Sequence, residues 1–273
     1  MIANILSIAG SDPSGGAGIQ ADIKAISANG GYAMAAITAL TAQNTTGVQG
    51  FTPVDPFMVR DQIAAIAADI RIDAIKIGML GNAGIIEVVA DALERIEAPV
   101  VLDPVMVAKG GDRLLAADAV AVLRERILPR ARVVTPNLPE AGDLLGEPEA
   151  RDLNAMRAQG ERLLALGSKA VLMKGGHLPG GEATDLLVTP GGETVLSAAR
   201  IATKNTHGTG CTLSSALATQ LGLGLDLTQA VRRAKAYIGG AIAAADALQV
   251  GHGHGPVHHF FDHQTSSTTT GAC

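Results

Sequence analysis

The chain of 273 residues is 47% hydrophobic, contains 33 glycines and carries a net charge of −5 at pH 7. This length suits one α/β domain, and the apolar content excludes a chain that is disordered throughout. The negative charge excludes a basic surface for nucleic acid or an anionic membrane, so any phosphate site must be local.

Targeting and redox signals are sparse. The first residues, Met1-Ile2-Ala3-Asn4, lack the basic and apolar regions of a signal peptide. A run of roughly 18 apolar residues, which a membrane span needs, does not occur in the sequence. The two cysteines, Cys211 and Cys273, do not indicate a disulfide framework. We therefore expect a cytoplasmic protein.

Apolar runs alternate with helical patterns along the chain. The predicted strands cover residues 2–9, 33–40, 73–77, 100–102, 132–135 and 170–173. The predicted helices cover residues 19–29, 56–70, 83–95, 116–127, 152–166, 209–221 and 227–247. A β-hairpin is predicted over 184–189 and 193–196, because Pro190-Gly191-Gly192 forms the turn between them.

This alternation predicts a mostly parallel sheet with helices on both faces and the hairpin as an antiparallel edge. We expect one domain over residues 1–263 and a disordered polar tail over 264–273. In such sheets ligands bind beyond the carboxyl ends of the strands. The polar and glycine-rich residues that follow the predicted strands should therefore meet on one rim, namely residues 10–18, Gly78, Asp103, Asn137 and Lys174.

The strongest local signal is a glycine-rich stretch that opens a helix, Lys204-Asn205-Thr206-His207-Gly208-Thr209-Gly210-Cys211-Thr212. Its glycines let the backbone approach a ligand, and the free N–H groups of the first helical turn then point at that ligand. The helix dipole favours an anion. The stretch predicts a phosphate or oxyanion cradle, with a plain glycine-containing helix entry as the structural alternative.

Cys211 stands at the start of this helix, where a thiol is expected to have a lowered pKa. Such a thiol could take a proton from a substrate hydroxyl. The alternative is a small buried residue, as most free cysteines are, and on this residue alone that alternative is favoured.

Charged residues at three strand ends suggest a site for a nucleotide and its metal. Asp103 and Glu140 could together hold Mg²⁺, which prefers oxygen ligands, although singly each fits a turn or a first helical turn. Lys174 could reach ATP phosphates as a point charge, or be an ordinary solvated lysine.

Two further patterns carry weaker signals. The glycines of residues 10–18 lack the spacing of a dinucleotide fingerprint, and a P-loop motif is absent from the sequence, so a kinase here would not be of the Walker type. Four of the seven histidines lie in residues 251–259. Metal binding is one reading of this segment, and a packed glycine-rich ending is the favoured one.

Several of these segments form one longer pattern. They are Ile8-Ala9-Gly10-Ser11-Asp12-Pro13-Ser14-Gly15-Gly16-Ala17-Gly18-Ile19-Gln20-Ala21-Asp22, Lys76-Ile77-Gly78-Met79-Leu80, Asp103-Pro104-Val105-Met106, Thr135-Pro136-Asn137-Leu138-Pro139-Glu140-Ala141, residues 204–212 and residues 251–259. In this order, over residues 3–261, they resemble the bacterial hydroxymethylpyrimidine/phosphomethylpyrimidine kinases of thiamine biosynthesis, a family of the ribokinase-like superfamily.

The resemblance implies a ribokinase-like three-layer α/β/α sandwich and two successive reactions. ATP first phosphorylates the hydroxymethyl group of 4-amino-5-hydroxymethyl-2-methylpyrimidine, and a second ATP converts the monophosphate to the pyrophosphate. ATP and Mg²⁺ are the implied cofactors, a small aminopyrimidine is the implied substrate, and a homodimer is the family expectation.

The resemblance also implies roles for individual residues. Gln43 would hydrogen-bond the pyrimidine, since its amide both donates and accepts. The same pocket would be lined by Gly10, Asp22, Met79 and Val105. ATP would be bound by Lys174, Asn137 and Thr206, and Mg²⁺ by Asp103 and Glu140. The catalytic group would comprise Gly208, Thr209, Gly210 and Cys211.

Cys211 occupies the position of the superfamily's usual catalytic Asp, which favours it as a base. Phosphoryl transfer nevertheless passes through a loose transition state, so the amides of residues 208–211 can supply more of the rate than the thiol.

Three other functions remain open at this point. A pyridoxal kinase would share the fold and the transfer from ATP to a hydroxymethyl group. A nucleotide-binding sensor would bind ATP without turnover, which the set of acids, lysine and anion cradle disfavours. A metal carrier would bind Zn²⁺ through the histidines of residues 251–263.

Overall fold

Strands and helices alternate through the computed structural model, which describes residues 1–106, 115, 117–176, 178 and 180–263. The strands are β1 (Asn4–Ala9), β2 (Tyr32–Ile37), β3 (Ala39–Asn44), β4 (Gly47–Pro53), β5 (Ala74–Ile77), β6 (Val100–Leu102), β7 (Val133–Val134), β8 (Val171–Gly175), β9 (Glu182–Thr189) and β10 (Gly192–Ala199). The helices are α1 (Gly18–Ala28), α2 (Pro56–Asp69), α3 (Ala83–Leu93), α4 (Ala117–Val122), α5 (Leu138–Leu145), α6 (Leu153–Ala165), α7 (Thr209–Gly222) and α8 (Leu227–Ala243).

Eight strands form one sheet in the order β10-β9-β8-β7-β6-β5-β1-β2. Strands β8, β7, β6, β5, β1 and β2 run parallel, whereas β9 pairs antiparallel with both β8 and β10. The predicted mostly parallel sheet with an antiparallel edge hairpin is therefore confirmed.

Both faces of the sheet are covered, because successive residues of a strand point to opposite sides. On β1, Leu6 and Ile8 belong to a core with α2, α3, α5 and α6. Their neighbour Ile5 belongs to a second core with α1, α7 and α8. The result is the three-layer arrangement of helices, sheet and helices.

The single strand predicted over residues 33–40 is two strands, β2 and the start of β3, interrupted at Thr38. Strand β2 ends at Ile37, and Thr38 is buried with its hydroxyl donating to the Met79 carbonyl at 2.6 Å. The chain then leaves the main sheet, and β3 pairs with β4 as a separate antiparallel ribbon. The register of this ribbon shifts between Ala42 and Gln43, and Gln43 lies beside the main sheet's carboxyl edge.

Two predicted helix ends also differ. Helix α8 ends at Ala243 rather than at residue 247, with a short 3-10 turn following it. The helix predicted over 116–127 is α4 followed by one π-helical turn, Leu123–Ile127. None of the described helices is long and apolar enough to cross a membrane. The predicted tail, His177 and Cys273 lie outside the described residues.

Candidate active site

A cavity of about 1110 Å³ opens at the carboxyl ends of the parallel strands. Its described lining contains every predicted site residue except Asp22: Gly10, Gln43, Met79, Val105, Asp103, Asn137, Glu140, Lys174, Thr206, Gly208, Thr209, Gly210 and Cys211. These residues come from distant parts of the sequence. They meet because parallel strands end at one edge of the sheet and the N-terminus of α7 points at the same edge.

Gly208 is the N-cap of α7 and has φ of 76°, a left-handed conformation that favours glycine. A Cβ at this position would lie 1.8 Å from the Gly16 carbonyl oxygen. The helix entry therefore packs directly on the glycine-rich loop after β1. The Thr209 N–H donates to the Thr206 carbonyl at 3.3 Å. A glycine has no side chain to cap the helix, so the next N–H groups, those of Gly210 and Cys211, are left for a ligand in the cavity.

The charged residues of the cavity lie against this helix entry. The Lys174 Nζ is 2.7 Å from Asp103 Oδ1 and 3.7 Å from Glu140 Oε2. A Cβ on Gly210 would lie 3.2 Å from Asp103 Oδ2 and 3.3 Å from Lys174 Nζ. The anion cradle, one cation and two carboxylates thus share one corner of the cavity.

Local structure fixes both members of the Asn137 and Glu140 pair. The Asn137 side chain accepts from the Glu140 N–H, and the Glu140 carboxylate accepts from the Asn137 N–H, each at 2.8 Å. This capping box starts α5, a helix that the sequence prediction did not assign. The oxygen that accepts from the Asn137 N–H, Glu140 Oε2, is also the one 3.7 Å from the Lys174 Nζ.

The ionisation of this corner depends on burial and on neighbouring charges. Burial raises the pKa of Glu140 to about 7, with Lys174 opposing the rise and Asp103 adding to it. Burial alone would lower the pKa of Lys174, but Asp103 and Glu140 outweigh it and raise the pKa. Lys174 therefore stays protonated and neutralises part of the carboxylate charge.

The predicted lowering of the Cys211 pKa is wrong. Burial raises the pKa of the thiol to about 11, although the Lys76 ammonium and the Gly18 N–H oppose the rise. The negative charges of Asp22 and Asp103 raise it further. Desolvation and these carboxylates outweigh the Lys76 ammonium and the Gly18 N–H, so the thiol is protonated near neutral pH.

Asp22, predicted to line the pocket, lies behind its wall instead. Its carboxylate is fully buried and is 2.9 and 2.8 Å from the Lys76 Nζ. The hydroxyls of Ser7 and Ser215 also donate to it, at 2.6 and 2.8 Å. Asp22 therefore contacts no ligand directly, but its charge acts on the cavity by raising the pKa of Cys211.

Sequence reasoning left Asp12 open and did not assign His207 a role of its own, although the two form the link between the glycine-rich loop and the cradle. The His207 Nε2 is 2.8 Å from Asp12 Oδ2 and 3.4 Å from the Gln43 Nε2. Asp12 also accepts from the Ser14 N–H and from the Ala17 N–H. The two residues lie 195 positions apart, and no local pattern could have indicated the pair.

The role of Lys235, on the far side of the cavity, was also left open by the sequence. Lys235 of α8 is 2.5 Å from Asp185 of β9 and donates to the Ala183 carbonyl at 3.0 Å. Burial raises the pKa of Asp185, while Lys235 opposes this. Residues 198–203 and the side of α8 that carries Ile238 and Ile242 complete this largely apolar wall.

The histidine-rich segment packs against the site as structure. Residues Gly251 and Gly253 lie so close to Thr45 that a Cβ would be 2.1 and 2.0 Å from its atoms. His259 is buried, its Nε2 lies 3.0 Å from the Thr212 hydroxyl, and burial lowers its pKa to about 4. Within the described part of the chain, no group of three or more His, Cys, Asp or Glu residues could hold a metal ion.

Comparison with known proteins agrees with this geometry. The model of the phosphomethylpyrimidine kinase family matches residues 12–258. The hydroxymethylpyrimidine/phosphomethylpyrimidine kinase of Escherichia coli is 54% identical over 258 residues, which cover 94% of this chain and 97% of that protein.

Solved structures show the same fold. The phosphomethylpyrimidine kinase of Clostridium difficile is 43% identical with a TM-score of 0.78, covering 88% of this chain and 99% of that one. The pyridoxal kinase of Staphylococcus aureus, solved with AMP-PCP and pyridoxal, is 31% identical with a TM-score of 0.88, covering 97% and 96%.

Proposed function

The chain belongs to the phosphomethylpyrimidine kinase family, and on that premise we propose that it performs both phosphorylations of the thiamine pyrimidine. ATP phosphorylates the hydroxymethyl group of 4-amino-5-hydroxymethyl-2-methylpyrimidine, and a second ATP extends the monophosphate to the pyrophosphate. The observation that carries this proposal is the single cavity in which an anion cradle, Lys174 and two carboxylates stand side by side.

The cradle and Lys174 are suited to the transferred phosphoryl group. Phosphoryl transfer needs positioning and charge neutralisation rather than covalent chemistry from the protein. First-turn N–H groups of α7 supply partial positive charge, and the Lys174 ammonium supplies a full one near Gly210. Asn137 and Thr206, at the edges of the same corner, are assigned to the rest of the nucleotide phosphates.

Asp103 and Glu140 fit a magnesium ion. Both are carboxylates on one cavity wall, and burial together with the Asp103 charge raises the pKa of Glu140. A cation bound at this corner would favour the ionised carboxylate. Mg²⁺ is bound in proteins through one or two carboxylates together with substrate phosphates. When bound, the ion would neutralise the phosphate charge that develops during transfer.

The protonated state of Cys211 favours the amides over the thiol as the main catalytic groups. A base must be deprotonated when it acts, and a thiol with a pKa of about 11 is almost wholly protonated at pH 7. Cys211 would then hold the substrate hydroxyl in place as a neutral contact, while Gly208, Thr209 and Gly210 bind the transferred group.

The pyrimidine is assigned to the side of the cavity that Gly10, Gln43, Met79 and Val105 line. These residues provide one amide and otherwise apolar surface, since Met79 packs with Ala39 and Val105. A flat heteroaromatic ring with one hydrogen-bonding edge fits this combination.

Pyridoxal phosphorylation is the second candidate, because a pyridoxal kinase with 31% identity has nearly the same fold. The pyrimidine kinase is favoured, because the family model covers residues 12–258 and the Escherichia coli pyrimidine kinase is 54% identical. A homodimer also remains a proposal from the family resemblance, and sedimentation velocity would test it as twice the 27.7 kDa chain mass.

The decisive experiment is ATP turnover with the aminopyrimidine and with pyridoxal, in which the mono- and pyrophosphate products are resolved. We expect both pyrimidine products, and a higher kcat/KM for the pyrimidine than for pyridoxal. Lys174→Met should lose at least about a hundredfold in kcat. The control Lys169→Met, an exposed residue before the same strand β8, should retain wild-type activity. Turnover of pyridoxal alone would refute the pyrimidine assignment.

A further inference from the structure

His207 holds a rigid position between the glycine-rich loop and Gln43. Its ring is buried, and a Cβ on Gly16 would come within 2.3 Å of its Cδ2 atom. Its backbone N–H donates to the Gly255 carbonyl at 3.0 Å, which anchors it to the C-terminal segment. The ring is therefore unable to swing away from the two groups that face its Nε2, Asp12 at 2.8 Å and Gln43 at 3.4 Å.

The proton on this nitrogen is determined by Asp12. Burial would raise the pKa of Asp12, but hydrogen bonds from His207, Ser14 and Ala17 outweigh burial and lower it. The carboxylate is therefore ionised and can only accept. At 2.8 Å, the His207 Nε2 must carry a hydrogen and donate it to Asp12, whether the imidazole is neutral or charged.

A nitrogen that carries a hydrogen cannot accept one, and this restricts Gln43. The amide nitrogen of Gln43 also only donates, so two donors would face each other at 3.4 Å. Rotation of the amide by 180° exchanges its oxygen and nitrogen in the same space. The favourable state directs the oxygen to His207 and the NH₂ group to the opposite side.

We propose that His207 is a positioning residue that fixes the amide orientation of Gln43 and so selects the donor and acceptor pattern of the ring in the cavity. This inference rests on the proposed function, which assigns the ring to Gln43. A 4-aminopyrimidine presents a ring-nitrogen acceptor beside an amino donor. Its hydroxymethyl group must reach the anion cradle, so the ring cannot turn over to exchange the two.

The 4-oxo analogue of the substrate provides the test, because its edge has the reverse order, a carbonyl acceptor beside a ring N–H donor. We would measure kcat/KM for the amino and oxo compounds in the wild type and in His207→Phe, which keeps an aromatic ring without a donor. The amino-to-oxo ratio should fall roughly fivefold in His207→Phe, the worth of one ordinary hydrogen bond. A loss shared equally by both compounds would be a merely structural effect and would overturn the proposal.

Two further variants make the result independent of the folding of His207→Phe. Asp12→Asn keeps the imidazole, but its amide can either donate to or accept from Nε2 and no longer obliges that nitrogen to carry the hydrogen, so the ratio should fall in the same direction. Ser14→Ala removes the hydrogen bond to Asp12 Oδ1 and leaves the Oδ2 contact with His207, so the ratio should stay at the wild-type value.

The outcomes separate this proposal from the proposed function. Unchanged ratios in both His207→Phe and Asp12→Asn, in a wild type that phosphorylates the aminopyrimidine, would overturn the orientation role alone. A wild type that phosphorylates pyridoxal but neither pyrimidine would refute the proposed function, and the orientation role with it.

Discussion

Removal of the Lys76 charge should destabilise the fold strongly, because it leaves a carboxylate ionised in the protein interior. Neither Lys76 nor Asp22 has any exposed side-chain surface, and the Lys76 Nζ contacts both Asp22 oxygens at 2.9 and 2.8 Å. Lys76→Met keeps a similar stem but leaves Asp22 with only the Ser7 and Ser215 hydroxyls as partners. Two hydroxyl donors do not replace a neutralising charge.

The size of this destabilisation follows from the complete burial of the ion pair. Loss of one partner from a buried ion pair costs about 3–5 kcal/mol, and solvent screening does not reduce it here. For a chain of this size, Lys76→Met should lower Tm by about 6–20 °C. Asp22→Asn should cost a similar amount, and Lys76→Met with Asp22→Asn should cost less than the sum of the two, by at least about 1 kcal/mol.

The pH dependence of Asp22→Asn gives an independent readout. In the wild type, burial would lower the pKa of Lys76, but Asp22 raises it, so Lys76 is charged both folded and unfolded at pH 7–9. In Asp22→Asn the largest opposing charge is gone and only the smaller effect of Asp103 remains at pH 7–9, so burial lowers the folded pKa below the unfolded value of about 10.4. The unfolded state then binds more protons, so stability rises with pH between the two pKa values, by up to about 1.4 kcal/mol per unit.

Urea unfolding at pH 7 and pH 9 measures these effects. Arg60→Met is the control, because its ion pair with Asp61 is more than half exposed and should contribute less than about 1 kcal/mol. Additive losses in the double variant, or an Asp22→Asn protein with the same pH dependence as the wild type, would refute the reasoning.

Three further predictions concern the cavity. Gly208→Ala would place a Cβ 1.8 Å from the Gly16 oxygen and should lower kcat by about a hundredfold or more. The control Gly224→Ala is also at positive φ but in open space, and it should cost only about 1–2 kcal/mol of stability. Equal activity of the two variants would contradict an anion cradle that depends on the position of Gly208. Because its pKa is raised to about 11, Cys211 in a Cys273→Ser background should react with iodoacetamide at pH 7 at least about tenfold more slowly than a peptide thiol. Equal rates would contradict the conclusion that the Cys211 thiol is protonated. Asp103→Asn should raise the half-saturating Mg²⁺ concentration of the kinase reaction roughly tenfold. The control Asp69→Asn, on the exposed side of α2, should leave that concentration unchanged. An unaltered Mg²⁺ titration in Asp103→Asn would show that Asp103 does not bind the metal.

Much of the architecture could be predicted from local patterns. Short apolar runs such as 73–77 and 100–102 alternate with helical segments, which is sufficient to indicate a parallel sheet with helices on both faces. The prediction that the functional residues meet on one rim rested on one rule, namely that the carboxyl ends of parallel strands lie at the same edge of the sheet. Asp103 and Asn137 follow a strand and Lys174 is the last residue but one of β8, and the structure brings them together.

The partners of the buried polar residues could not be predicted in this way. Asp22 pairs with Lys76 across 54 positions, and Asp12 pairs with His207 across 195. Neither sequence separation leaves a periodic signal, since the contact exists only after α1, β5 and α7 have packed. The point where β3 departs from the main sheet is likewise marked by a long-range contact, the buried hydrogen bond between Thr38 and Met79, 41 positions apart.

The same distinction between local sequence and tertiary contacts applies to the chemistry of the site. The amino-acid sequence determined which functional groups are present and which strand or helix end carries each of them, because turns, glycines and apolar periods act over a few residues. The tertiary structure decided their charge states. Desolvation and long-range charges raised the pKa of Cys211 to about 11 and of Glu140 to about 7, and both effects depend on atoms that become neighbours only in the folded chain.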